Sequence, residues 1–386
     1  MYSPFPLRCM PNDSSKRLLS LDLLRGFDMA CLVLICPVVI RTLYVINPDQ
    51  DCFLGHLALQ LDHTPWEGFT FMDIIMPLFL FMSGITIPFS MSKYKKGTVE
   101  ADHRFFFRIL KRVAVLWIVG MVVQGNLLAF DIHTLKLFSN TLQSIAVGYA
   151  VVAVLYVFTS LRTQFVVVLL CFLAFFVVFA VSGDLSCPVG TNIAERIDRA
   201  VLGHFQDGVN WTDGHYVPSA DYHYTWILSS LNFIVTVYLG CLAGYILKGE
   251  GSQSAKLRKL LLWGVVMVAT GLALSPLMPI VKHLWTSSMT LFSGGLCFLL
   301  MALFYYFFDM RHWTRGLMWL RFYGMNSLVA YFLGEYVRFD SFIDSFLFGF
   351  KQWVGEGYII LSSVANGAII FGILMLMFRL KVFVKA

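Results

Sequence analysis

The sequence predicts an all-α polytopic integral membrane protein with about ten transmembrane helices and both termini in the cytoplasm. Three observations predict it. The chain of 386 residues is 58% hydrophobic and only 13% charged, with a mean hydropathy of +0.73, whereas a soluble domain carries about a quarter charged residues. Apolar runs of about 18 residues or more, the length that crosses a hydrocarbon core, recur along the whole chain. With alternating spans, 22 of the 29 lysines and arginines fall on the side of the N-terminus and 7 on the other, the bias that places the basic side in the cytoplasm. No P-loop, Gly-rich dinucleotide fingerprint or CxxC pair is present, and the net charge of +6 reads as a topology signal, not a nucleic-acid footprint.

The first span, at 20–46, follows a polar, proline-bearing segment without the apolar region and cleavage site of a signal peptide. Ser20 is the expected N-cap, and Asp22 and Arg25, three apart, share a helix face. That pair reads as an interfacial ion pair or as an anion site, arginine's planar fork being suited to phosphate. The second span, at 69–91, places Asp73, Pro77 and Gly84 on one face, with Pro77 expected to kink it. The third, at 105–128, opens with Arg104, Arg108, Lys111 and Arg112, a cytoplasmic anchor or a phosphate-capturing run. Spans at 138–160 and 163–182 follow. The loop 183–224, with Asp184, Glu195, Asp198, Asp207, Asp213 and Asp221, is too long for a mere connector and could cover an external site. Spans at 225–247, 260–281, 286–308, 319–337 and 357–378 follow. The aromatic segment 339–355 reads as re-entrant or interfacial, or as an eleventh span. Cys9 is expected in the cytoplasm. Only Cys52 and Cys187 fall in external loops, where a disulfide or chance placement are both open. No fixed-period repeat is present.

Chemistry concentrates around His63 and Asp73. Ionisable groups at membrane depth are costly and need a partner or a proton. The bland reading is a solvated loop histidine and a packing-face aspartate; the functional one is proton transfer by an imidazole near neutral pH. No second His or Cys stands at metal-ligand spacing around His63, so no metal is expected. Lys282, His283 and Trp285 sit at an external boundary, as an interfacial anchor or as part of a site. Asn326 lies among small residues, where interhelical hydrogen bonding is the plain reading. Glu335 is a lone acid later in that span.

These motifs resemble a family. Asp22-Leu-Leu-Arg25-Gly26, His63…Trp66-Glu67-Gly68…Asp73…Pro77-Leu-Phe-Leu-Phe…Gly84, Lys282…Leu284-Trp285-Thr286 and Gly324-Met325-Asn326-Ser327 are similar to the transmembrane acetyltransferases related to heparan-α-glucosaminide N-acetyltransferase and their bacterial homologues. The resemblance covers 17–338. It implies one transmembrane acyltransferase domain over 1–386 that moves acetyl from cytosolic acetyl-CoA to the amine of a terminal glucosamine across the membrane, with His63 matching the active histidine. Two departures are Cys36, where the family often has asparagine, and Asp221-Tyr-His223-Tyr in place of Asp-Pro-Glu-Gly. The assignments that follow are His63 and Asp73 for catalysis; Arg25, Arg108, Arg112 and Asn326 for acetyl-CoA; and Asp62, Trp66, Lys282 and Trp285 for the amino-sugar acceptor. His63 is expected on the external face, periplasmic if the protein is bacterial and in the inner membrane. Membrane lipid and a homodimer partner are further expectations. His63 acts as general base or carries the acetyl group itself, with general base preferred. Activity is then expected to fall in acid, since both the amine and the imidazole must be unprotonated. An amino-sugar or small-molecule transporter, and an acyltransferase acting on another envelope glycan, are the alternatives.

Overall fold

The computed structural model describes residues 18–46, 52–95, 103–219, 222–337 and 339–384. Cys9, Lys96, Asp221 and Arg338 lie outside them. The described chain is mostly helical, with one antiparallel hairpin, β1 (Val209–Thr212) and β2 (His215–Pro218). In order, the helices are α1 (Leu19–Ala30), α2 (Cys36–Ile46), α3 (Phe53–Gln60), α4 (Ile75–Lys95), α5 (His103–Val123), α6 (Thr141–Phe158), α7 (Leu161–Ser182) and α8 (Ile193–Leu202). They continue as α9 (Ser230–Lys248), α10 (Gln253–Leu274), α11 (Ser287–Phe304), α12 (Leu320–Met325), α13 (Ser327–Glu335), α14 (Asp340–Leu347), α15 (Lys351–Val354) and α16 (Tyr358–Arg379).

Eight helical segments among the described residues are long and apolar enough to cross a membrane: Leu19–Ile46, Phe71–Lys95, Thr141–Phe158, Leu161–Ser182, Ser230–Lys248, Gln253–Leu274, Ser287–Met310 and Asp340–Arg379. Two of the ten expected spans are not among them, for physical reasons. Helix α5 has the length, 21 residues, but Arg104, Arg108, Lys111 and Arg112 crowd its first turns. The span at 319–337 is broken into α12 and α13 where Asn326 leaves helical geometry (φ −126°, ψ 42°). The expected span at 260–281 lies earlier, as α10. It stops at Leu274, ahead of Ser275-Pro276, because Pro276 has no N–H to carry the ladder on to the Leu272 carbonyl. That shift frees 275–286 as a loop, which matters below.

Two local expectations change, and one open alternative is decided. Ser20 is not the cap of α1; Leu18 holds that position, and the Ser20 hydroxyl instead donates to Asp309. Pro77 lies in the first turn of α4, where an N–H would be unsatisfied anyway, so it breaks no ladder bond; the interior proline is Pro88. Cys187 is a free thiol that donates to the Leu185 carbonyl, so no disulfide joins it to Cys52.

Helices α4 and α9 form the buried centre and α6 packs beside both. They approach closely because a Cβ on Gly84 would lie 1.9 Å from the Val237 carbonyl and one on Gly240 1.9 Å from the Phe81 carbonyl. Any larger residue would force the helix backbones apart. Gly26 and Gly324 do the same for α1 against α12. Helices α7 and α10 are peripheral and turn Phe165, Leu170, Val177, Leu262 and Val265 outward. So continuous an apolar surface fits lipid, not water. Leu19–Ile46 is about 42 Å long at helical rise and is interrupted by a π-helical turn, Cys31–Ile35.

The loop 183–224 is folded. Asp198 on α8 accepts the backbone N–H of Trp226 (2.7 Å) and of Ile227 (3.0 Å), tying the loop to the start of α9. Residues 339–355 form α14, α15 and short 3-10 turns, burying Ile343 while Phe342, Phe346 and Trp353 face outward.

Candidate active site

Two stretches far apart in sequence meet at one end of the bundle. Glu67 pairs with Val281 in an antiparallel bridge, and the Gly68 N–H donates to the Ile280 carbonyl at 2.9 Å. A tight turn follows, with the Thr286 N–H on the Val281 carbonyl and the Thr286 hydroxyl on the Pro279 carbonyl. This sets Lys282 against the loop that carries His63. The freed segment 275–286 is therefore what brings the lysine to the histidine.

Asp73 is the hub. It is fully buried, and six polar groups converge on its two oxygens, the Thr70 hydroxyl being shared with the Asp62 carbonyl. Oδ2 takes the Thr64 N–H (3.3 Å) and hydroxyl (2.8 Å) and the Thr70 N–H (3.1 Å) and hydroxyl (3.0 Å). Oδ1 faces His63 Nδ1 at 2.9 Å and Lys282 Nζ at 3.0 Å. Thr70 to Asp73 has the spacing of a capping box, which places the carboxylate at the opening of the Phe71–Ile74 turn.

Lys282 Nζ also lies 3.0 Å from His63 Nδ1, so Nδ1 either donates to Asp73 or accepts from Lys282. A bare Nδ1 would oppose its lone pair to the carboxylate at 2.9 Å. A protonated Nδ1 leaves Oδ1 accepting two bonds, which a carboxylate oxygen can do. The tautomer that donates Nδ1–H to Asp73 leaves Nε2 with a lone pair; the other accepts at Nδ1 from Lys282. The His63 side chain is 46% exposed while that of Asp73 is closed off. An imidazole oriented by a buried carboxylate, with its other nitrogen open, is a geometry suited to a general base.

The remaining expected residues sort as follows. Asp62 does not face the ring: its Oδ1 accepts the His63 backbone N–H at 2.8 Å and its carbonyl accepts the Thr70 hydroxyl, so it shapes the loop. Trp66 forms a wall, its indole N–H on the Cys187 carbonyl at 3.0 Å and its ring stacked on His283 (centroids 5.4 Å). Lys282 is buried, and that burial lowers its pKa against the opposing pull of Asp73. Trp285 lies outside the site. It is buried in the core at φ 52°, with its N–H on Thr236 and its carbonyl accepting from Asn232; it holds the turn and has no free surface for an acceptor.

Sequence reading had not placed Thr64, Thr70 or Tyr224 here; the capping-box spacing was the one available signal. Tyr224 packs on His283 (4.2 Å), and His223 meets Trp66 edge-on and lies 3.5 Å from Glu195. His283 Nδ1 is buried and has no hydrogen-bond partner among the described residues. Burial, and then the Lys282 charge, push that imidazole down to about 4. Beside them, burial pushes Asp207 up to about 7 against the bond it accepts from Tyr222, and Asp198 up to about 6.

A cavity of about 1620 Å³ opens toward the other end of the bundle. Arg25, Arg112, Lys248 and Lys256 line it, with Asp22, Glu250 and Asp309. Arg112 stacks its guanidinium on Tyr149 at 3.9 Å and its Nε is buried without an acceptor. Arg108 lies outside the cavity, exposed over Tyr94. Asn326 acts indirectly: its side chain holds the Val382 carbonyl and the Val384 N–H, and Val384, Met325 and Ser327 line the wall. The deep lining includes Phe79, Leu142 and Tyr331. Phe79 follows Asp73 by six residues, about 9 Å of helix. Among the described residues no group of three or more His, Cys, Asp or Glu is placed to hold a metal ion. No protein-family model matches the chain, and no curated protein matches it.

Proposed function

We propose that this protein is a transmembrane N-acetyltransferase with His63 as its general base, using cytosolic acetyl-CoA and an amino-sugar amine on the opposite face. The reading rests on the exposed imidazole held by a buried carboxylate that Thr64, Thr70 and Lys282 also bond. In this reading the chain crosses the membrane ten times, α5 and the broken α12–α13 pair included. The cationic cavity would take the nucleotide phosphates, whose charge keeps the donor from crossing the bilayer. Its thiol arm would extend past Phe79 and Tyr331 toward His63.

The chemistry then balances simply. The acceptor nitrogen attacks the thioester carbonyl and forms a C–N bond. His63 Nε2 takes the proton from nitrogen. The C–S bond breaks as the tetrahedral centre collapses, and the imidazolium returns its proton to the departing thiolate. Asp73 keeps Nδ1 protonated throughout and steadies the transient imidazolium, while Lys282 balances the carboxylate charge. His63 lies in a loop at one end, where an external acceptor could reach it.

A second reading, small-molecule transport, draws on one observation: Asp28 lies buried within the first span, with one carboxylate oxygen unpaired, next to the π-helical turn. Ionisable groups within a span mark transport pathways in many carriers. Incubating purified protein with labelled acetyl-CoA, with and without glucosamine, separates the two. Amine-dependent labelled N-acetylglucosamine supports the transferase; no labelled product, with labelled glucosamine accumulating unmodified in protein-bearing vesicles in a parallel uptake assay, supports transport.

A further inference from the structure

A second, smaller hollow of about 530 Å³ lies on the outer surface of the bundle, between the start of the second span and α11. Gln60 and Thr70 are its only hydrogen-bonding side chains; Ile74, Leu296, Leu300 and Leu303 are typical of the rest. From Leu296 to Leu303 it follows α11 for about 10 Å. Leu303 is half exposed, so the groove is open sideways, where lipid would be.

Two features set this groove apart from ordinary lipid-facing relief. Its polar end is continuous with the candidate active site: Thr70, which lines it, donates its hydroxyl to Asp73 Oδ2, the carboxylate that holds His63. It also shares no lining residue with the cationic cavity. An acyl chain could reach it from the membrane but not through the donor's cavity. A slot that is polar where it meets the base and apolar along its length matches an amphiphile with its head at His63 and its tail along α11.

We propose that this groove binds the alkyl chain of a membrane-anchored acceptor, so that the amine is presented by a glycolipid-like amphiphile and not by a free sugar. The proposal rests on the transferase reading for the role of the amine, but the groove's occupancy can be read without turnover. The acceptor's polar head lies at the Gln60–Thr70 end, beside the Asp73-held imidazole. Its chain lies against Ile74, Leu296, Leu300 and Leu303.

The test has two arms, both on the full chain in nanodiscs. In the first, acetyl transfer is compared between glucosamine and octyl glucosaminide, for wild type, Leu300→Trp and Leu303→Trp. An indole filling the slot removes contact with about two methylenes, so kcat/KM for the octyl acceptor should fall about tenfold while that for glucosamine holds. Equal effects on both acceptors, or no wild-type preference for the octyl one, would overturn the proposal. In the second arm a diazirine-bearing alkyl glucosaminide is photolysed on the protein and the adducts mapped. Labelling at 296–303 that octyl glucosaminide competes away, and that a diazirine phosphatidylcholine does not reproduce, supports the amphiphile site. Equal labelling by the choline lipid means ordinary lipid fills the groove and the proposal fails. Loss of turnover with every acceptor would count against the transferase reading alone, since the labelling arm still decides the groove.

Discussion

Replacing Asp73 with asparagine separates the two jobs this carboxylate does. The amide keeps the shape but must put an NH2 where one oxygen was. Four donors, from Thr64 and Thr70, converge on Oδ2 and two, from His63 and Lys282, on Oδ1. The amide oxygen therefore stays with the four, and its NH2 turns toward His63 and Lys282. Two consequences follow. His63 Nδ1 must become an acceptor, which moves its proton to Nε2 and removes the base; the same tautomer error in a His–Asp dyad costs about 10⁴ in kcat. Lys282, buried and with no other carboxylate on it among the described residues, is left uncompensated, a loss of about 3–5 kcal/mol, or a fall in Tm of roughly 5 °C for a chain of this size. Adding Lys282→Met removes the stranded charge. The double variant should recover most of the stability and none of the activity. The assays are thermal unfolding of purified protein and single-turnover acetyl transfer. Asp73→Asn within tenfold of wild-type kcat would refute the tautomer argument. A double variant no more stable than Asp73→Asn would refute the buried ion pair.

Three other outcomes are expected. His63→Ala should abolish transfer while leaving acetyl-CoA binding intact, and in wild type the initial rate, corrected for free amine, should fall in acid; a flat corrected profile would remove His63 as base. Arg112→Gln and Arg25→Gln should each raise KM for acetyl-CoA about tenfold, the worth of one charge-assisted hydrogen bond, while Arg108→Gln, which lies outside the cavity, should not; equal effects of all three would mean a general surface-charge effect. The third concerns His283, held at about 4 in the folded protein against an ordinary value of 6.5. Between those values the unfolded chain binds the extra proton, so stability is intact above pH 6.5 and is lost as pH falls toward 4. His283→Gln should flatten that acid limb by at most about 3 kcal/mol, and parallel melting curves across the window would contradict it.

Much of this was legible in the sequence and some could not be. Apolar run length located the helices because lipid demands it, and the Asp73 position stood out because an acid there needs partners. The identity of those partners was hidden. Lys282 lies 209 residues away, and the run that carries it reads as continuous helix by hydropathy; only the stop at Ser275-Pro276 frees it. Trp285 and Lys282, three apart, looked like one boundary motif, yet a left-handed residue at 285 sends the indole into the core and the ammonium to the site. Arg108 and Arg112 lie one turn apart, but only Arg112 lines the cavity, and which face of α5 turns inward depends on packing against α6. Pattern alone does not contain that packing.

The central claim is that donor and acceptor reach one site from opposite faces of a membrane. Sealed vesicles with the protein in one orientation test it directly, with labelled acetyl-CoA supplied to the face bearing Arg25 and Arg112 and amine acceptor only to the face bearing His63. The account predicts labelled N-acetyl product on the His63 side and none when the two reagents are exchanged. Product formed only when both reagents share a face, or only when acetyl-CoA is on the His63 side, would contradict it.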